Sequence, residues 1–234
     1  MGCADSKTQS GGSKPLITVE YFGMGYGRAD PIRFLLHHAK KDYQYIGYDF
    51  EQWGKIKGEG KGGEFAGLPR VNLDGKEYGQ SMATLRMLGA KYGYYDPKDW
   101  RCAAKVDVFV DAWVDMHDKA NNLALKMSMG GCTPEEAMTE IDGIIKNVFT
   151  PALAALEKQL TDDGGPFMGG SKISIGDCCW VANMANIMEN PAGPWTAKFT
   201  PILADYPKIQ AYHAKLRDAF KARLGDPNRK PFPF

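Results

Sequence analysis

Residues 70–92, RVNLDGKEYGQSMATLRMLGAKY, carry the densest run of local signals in the chain. Asp74-Gly75, set between two short runs rich in strand-forming side chains, marks a tight hairpin, since the favoured two-residue turn needs residues that tolerate positive φ. Ser81 offers a helix cap, and Met82, Leu85, Leu88 and Tyr92 recur behind it at helical spacing. The segment reads strand–strand–helix. Working outward, LITVEYF (16–22) is β-branched and aromatic and reads as a strand. Ile32, Leu35, Leu36 and Ala39 fall at i, i+3, i+4 and i+7, one helical face, with Pro31 in its first turn. YQYIGY (43–48) is a second strand. The stretch 54–67 holds six glycines among scattered Lys and Glu, so it is expected to be an irregular loop after a short helix at best.

Strand–helix–strand followed by strand–strand–helix is the order of a thioredoxin-like α/β domain, placed over residues 15–94, with a linker at 95–100. Everything from 101 to 234 reads as helical. Val106, Phe109, Val110, Trp113 and Val114 begin a long amphipathic helix. Thr133-Pro134-Glu135-Glu136 is a capping box that opens a helix whose Ile141, Ile144, Ile145 and Val148 face inward. Ser174-Ile175-Gly176-Asp177 is a second N-cap pattern, starting a helix through Met188; its role is structural. Ile209, Tyr212, Leu216 and Phe220 mark the last helix. An α/β domain followed by an all-helical one is the expected architecture.

Bulk properties narrow the function. Lys+Arg 29 against Asp+Glu 28 leaves no basic excess for a run of phosphates, which disfavours a nucleic-acid partner. No apolar run approaches the roughly 20 residues that span a bilayer. Cys3, Cys102, Cys132, Cys178 and Cys179 form neither a CxxC pair nor a zinc spacing, and their odd count points to a reducing compartment. The four histidines have no ligand spacing and read as surface or packing residues, so no metal site is expected.

Four motifs in order resemble the cytosolic glutathione transferases, over nearly the whole chain after residue 15: ITVEYF with RADPIRFLL, GLPRVNLDGKEYGQSMATLRML, SKISIGDCCW and YPKIQAYHAKL. The WxxxK run from Trp53 to Lys57 most resembles the sigma class, which includes haematopoietic prostaglandin D synthase. The resemblance implies a homodimeric enzyme that uses glutathione as co-substrate and needs no cofactor. Tyr21 is implied as the hydroxyl that stabilises the glutathione thiolate, with Arg28 and the first helix supplying a positive field. A thiol ordinarily titrates near pH ~8.5, so such help is needed at neutral pH. Trp53 and Lys57 are placed to meet the glycine carboxylate. Leu68-Pro69 resembles a cis-proline turn whose exposed backbone pairs with the cysteinyl unit. Gln80 and Ser81 stand at a helix start, suited to the γ-glutamyl carboxylate. Asp111 of the neighbouring subunit is implied at the glutamyl amine.

Met24, Tyr26, Trp113 and Met116, together with the tail Phe232-Pro233-Phe234, are the candidate lining of a pocket for an apolar electrophile. Conjugation, peroxide reduction and isomerisation all fit that site, and detoxification is the broad role. Two other classes compete. A transferase-fold scaffold with weak or no activity is suggested by the altered loops at 23–27 and 58–67. A dinucleotide enzyme is suggested by the glycines of FGMGYGRAD, but their spacing is GxGxG rather than GxGxxG. Asp107, Asp111, Asp115 and Asp118 form an acidic helical stripe, read either as a solvated face or as part of a dimer cleft.

The polar start of the chain has its own signal. Met1-Gly2-Cys3-Ala4-Asp5-Ser6 matches the N-myristoylation pattern at Gly2, with Cys3 beside it as a palmitoylation site. Residues 1–14 are then a flexible, lipidated tail holding an otherwise cytoplasmic enzyme on a membrane. The plain alternative is a leader that matches by chance.

Overall fold

A computed structural model describes residues 17–23, 27–162, 165–227 and 229. The first half is a four-stranded mixed sheet in the order β2-β1-β3-β4, where β1 is Ile17–Phe22, β2 Gln44–Tyr48, β3 Arg70–Leu73 and β4 Lys76–Tyr78. β2 runs parallel to β1, while β3 and β4 are antiparallel to their neighbours. The expected hairpin is present: Asp74 and Gly75 both have positive φ, 55° and 83°. That is the mirror-image turn whose twist matches the flanking strands.

Helix α1 (Asp30–His38) joins the two parallel strands. Its expected stripe of Ile32, Leu35 and Leu36 is fully buried, but so are Asp30, Arg33 and Phe34. The helix packs against the last helix of this half and against helices of the second half, so little of it meets water. Helix α2 (Phe50–Gly58) is longer than the glycines suggested. Asp49 and Gln52 close a reciprocal capping box, with Gln52 N–H to Asp49 Oδ1 at 2.7 Å and Asp49 N–H to Gln52 Oε1 at 3.0 Å, and Trp53 anchors the helix by burial. Local capping and one large buried side chain outweigh the cost of Gly54, about 1 kcal/mol. Helix α3 (Ser81–Tyr92) begins with Gln80 as its cap, one residue before the cap expected.

The rest is helical. Helix α4 (Trp100–Ser128) runs for 29 residues. Helices α5 (Pro134–Ile144) and α6 (Thr150–Asp162) are joined by a π-turn at Ile145–Phe149 into one rod, and the Thr133–Glu136 capping box forms as expected. Helix α7 (Ile175–Asn183) continues through a π-turn at Met184–Met188. Helices α8 (Thr196–Leu203), α9 (Pro207–Ala219) and α10 (Lys221–Leu224) are the last elements among the described residues. Helix α7 is buried at all nine positions, Cys178 and Cys179 included, and packs against α1, α3, α4 and α9. It is the shared centre of the core. Burial pushes both thiols up, so they remain inert protonated packing groups.

Candidate active site

The register of β1 against β3 brings several of the candidate residues together. Glu20 pairs with Arg70, so the Leu68-Pro69 turn comes level with Tyr21 and Phe22 at the carboxyl end of β1. The Leu68-Pro69 peptide is cis. Leaving β4, the chain reaches Gln80 and Ser81 at the amino end of α3. Gln80 is exposed and sits at φ 60° and ψ 95°, a sparsely populated conformation for a residue with a side chain. Strain of this kind, of order 1–3 kcal/mol, concentrates where function holds the backbone.

Tyr21 is the penultimate residue of β1, half-buried. The Arg28 backbone N–H donates to its Oη at 3.2 Å. Gly27 passes between, at φ 119°, so near that an added Cβ would stand 2.5 Å from Tyr21 Oη. Only glycine fits there. Burial pushes the Tyr21 phenol up, against a smaller opposing pull from the Arg28 amide and charge. A phenol raised in this way stays protonated at neutral pH, and its hydrogen is free to be donated.

The Arg28 side chain bonds Asp118 on α4. The other Asp118 oxygen takes a contact from His117 Nδ1 at 3.0 Å, and His117 stacks on Trp113 with centroids 4.7 Å apart. Burial costs Asp118 ionisation, yet the His117 hydrogen bond and the Arg28 charge together hold its carboxyl below the ordinary range. His117 is therefore neither a surface histidine nor mere packing, and neither it nor Asp118 stood out as a site residue by spacing alone.

The remaining candidates divide. Trp53 is buried, with the Arg70 guanidinium 5.3 Å from its ring centroid, while Lys57 is exposed one turn further along. Arg70 is a site-building residue that sequence reading missed. It bonds Glu20 at 2.5 Å and the Lys61 carbonyl at 2.7 Å, and lies 3.4 Å from Glu77, tying the 58–67 loop to the sheet. The acidic stripe divides: Asp111 and Asp115 stay exposed, while Arg86 binds Asp107 at 2.7 Å and Asp111 at 2.8 Å, which ties α3 to α4. Trp113 and Met116 are buried inside the helical half. Met24, Tyr26 and the tail 232–234 lie outside the described residues, as do Gly2 and Cys3. Among the described residues no group of three or more His, Cys, Asp or Glu is placed to hold a metal ion.

Comparison with known proteins decides the family. Residues 118–220 match the family model "Glutathione S-transferase, C-terminal domain". The mouse protein glutathione S-transferase A4 is 28% identical over 197 residues, 84% of this chain and 82% of that one. The chain is similar in sequence and in fold to the cytosolic glutathione transferases. Among solved structures, NaGST-2 superposes with a TM-score of 0.67 at 26% identity, over 90% of this chain and 96% of the other. A prostaglandin synthase D of Nilaparvata lugens shares the fold, with a TM-score of 0.70 at 20% identity over 91% and 98%. A thioredoxin-like domain followed by a helical domain is thus the fold of this chain. The dinucleotide reading falls with this, because the sheet is a mixed four-stranded one in the order β2-β1-β3-β4, not the parallel sheet of a dinucleotide fold.

Proposed function

We propose that this transferase activates the glutathione thiol with Tyr21 and delivers the thiolate to an apolar electrophile. The observation that carries the reading is the Arg28 N–H to Tyr21 Oη bond: it occupies a lone pair of the phenol oxygen and leaves the O–H to be donated to sulfur. The thiolate then forms the new carbon–sulfur bond, and the electrophile's leaving group departs with its electron pair. Leu68 and Pro69 are assigned to the cysteinyl backbone, Gln80 and Ser81 to the γ-glutamyl carboxylate, and Trp53 and Lys57 to the glycine carboxylate. Retention on immobilised glutathione together with turnover of a chromogenic dinitrobenzene tests this. A folded protein that does neither would restore the scaffold reading.

The homodimer belongs to the same proposal. The outward face of α4 carries Trp100 and Val108, 64% and 59% exposed, and Phe65 of the 58–67 loop is 58% exposed. Asp111 is the most open of the two Arg86 partners and has an oxygen to spare for a neighbour's glutathione. Sedimentation is expected to give twice the 25.8 kDa chain mass, and Val108→Glu should shift it toward one. A fully active species at the single-chain mass would refute the shared site.

Acylation at Gly2 and Cys3 is proposed from the sequence pattern alone. No helix among the described residues is long and apolar enough to cross a membrane. One myristoyl chain binds membranes only marginally, so Cys3 would supply the second anchor. Gly2→Ala is expected to move the protein from the membrane to the soluble fraction. Equal partition of both forms, with an unmodified Gly2 by mass spectrometry, would end the idea.

A further inference from the structure

The Arg28 amide can aim at Tyr21 only while the turn that carries it is held. That turn, residues 27–29, is short: Asp30 N–H returns to the Gly27 carbonyl at 2.9 Å, and Arg33 N–H to the Ala29 carbonyl at 3.0 Å. These bonds fix its helical end. A further fixed point is the Arg28 side chain, anchored on α4 by Asp118. Asp118 is itself held: its second oxygen meets His117 Nδ1, and the His117 ring is buried and stacked on Trp113. A carboxylate can only accept, so Nδ1 carries the hydrogen in this tautomer, an assignment made from the bonding partners.

We propose that Asp118, oriented by His117, is the positioning residue that clamps the Arg28 turn and thereby keeps the Arg28 amide on the Tyr21 oxygen. The clamp reaches from the all-helical half into the thiolate site through side chains alone. It also assigns Arg28 a role different from a free positive charge beside sulfur, because its guanidinium is neutralised on α4 and its amide does the work. The charged and titratable groups around the clamp are Arg28, Asp118, His117 and Asp30, with Tyr21 opposite. This inference rests on the Tyr21 reading above.

Asp118→Ala and Asp118→Asn separate geometry from charge, with Tyr21→Phe measured in parallel. Asn keeps a carbonyl oxygen for Arg28, and its amide can donate to Nδ1 of the other His117 tautomer, but it has no charge. The readouts are kcat/KM for a chromogenic dinitrobenzene at saturating glutathione, and the apparent thiol pKa from the pH profile and the ultraviolet absorbance of bound thiolate. Asp118→Ala is expected to lose about tenfold in kcat/KM, a fraction of what a whole transition-state donor is worth. Its thiol pKa should rise by about half a unit. Asp118→Asn should stay within about threefold of the parent, and the KM for glutathione should hardly move in either. Asp118 is half-exposed, so both variants are expected to melt near the parent, and the Asn variant keeps the test valid if Ala does not fold. Equal losses in the two variants, or a thiol pKa that falls when Asp118 is removed, would show that only its charge matters and overturn the clamp. A loss in Tyr21→Phe without one in Asp118→Ala sinks the clamp alone, whereas no loss in Tyr21→Phe sinks the reading beneath it.

Discussion

Tyr21→Phe is expected to lower turnover by roughly 10–1000-fold, the range set by losing one donor aimed at a developing anion. The ring keeps its place, because it is packed against Phe22 at 5.3 Å and backed by Gly27. Glutathione affinity should change little, since the peptide portion of the ligand is held elsewhere. The loss should be greatest at about pH 6.5, where an unassisted thiol is almost wholly protonated, and should shrink toward its own titration near ~8.5. Steady-state rates across that interval decide it. Unchanged turnover at the acid end would remove Tyr21 from the mechanism, and the Arg28 amide would then be satisfying an ordinary buried phenol.

The largest effect on stability is expected at Asp177, which is fully buried. Its Oδ1 accepts the Met168 N–H at 3.0 Å and the Tyr212 O–H at 2.6 Å. Its Oδ2 accepts the Ser174 N–H at 2.8 Å and the Ser174 O–H at 2.7 Å. A single cap is worth about 0.5–2 kcal/mol. Asp177 does more, because one carboxylate fastens the start of α7 to the loop before it and to α9. Asp177→Ala leaves four donors without an acceptor, and buried orphans cost about 1–3 kcal/mol each. A loss of about 4 kcal/mol or more is a large part of a typical total of about 5–15. Thermal unfolding should therefore drop by roughly 10 °C or more, while Ser174→Ala should lose far less. Near-equal melting of parent and Asp177→Ala would mean that water replaces the carboxylate.

Local signals in the sequence reached far. The Asp74-Gly75 turn, the Thr133–Glu136 box, the strand at 17–22 and the helical stripes of α1 and α9 are each decided within a few residues, by φ preference, by capping or by periodicity. They fixed the order of elements, and with the Leu68-Pro69 and Gln80-Ser81 motifs they pointed to the transferase family and to Tyr21. The length of α2 was less legible, because Gly54 and Gly58 speak against a helix until the burial of Trp53 beneath Arg70 is known.

Long-range pairing was beyond the sequence. Nothing in the spacing of Asp107, Asp111 and Asp118 says which arginine each will meet, since Arg86 and Arg28 lie 21 to 90 positions away along the chain. The composition is equally compatible with a solvated stripe, and only the approach of Arg86 and Arg28 to α4 makes fasteners of Asp107, Asp111 and Asp118. His117 became part of the site for the same reason: its ring is buried by Trp113 and its hydrogen bond is shared with a carboxylate already bound to the first bend. The sequence by itself determined which segments are strand and helix and where Tyr21 stands on the first strand, because those depend on neighbours a turn or two away. The tertiary structure decided what holds that residue in place, because burial and charge pairing depend on which elements are brought together.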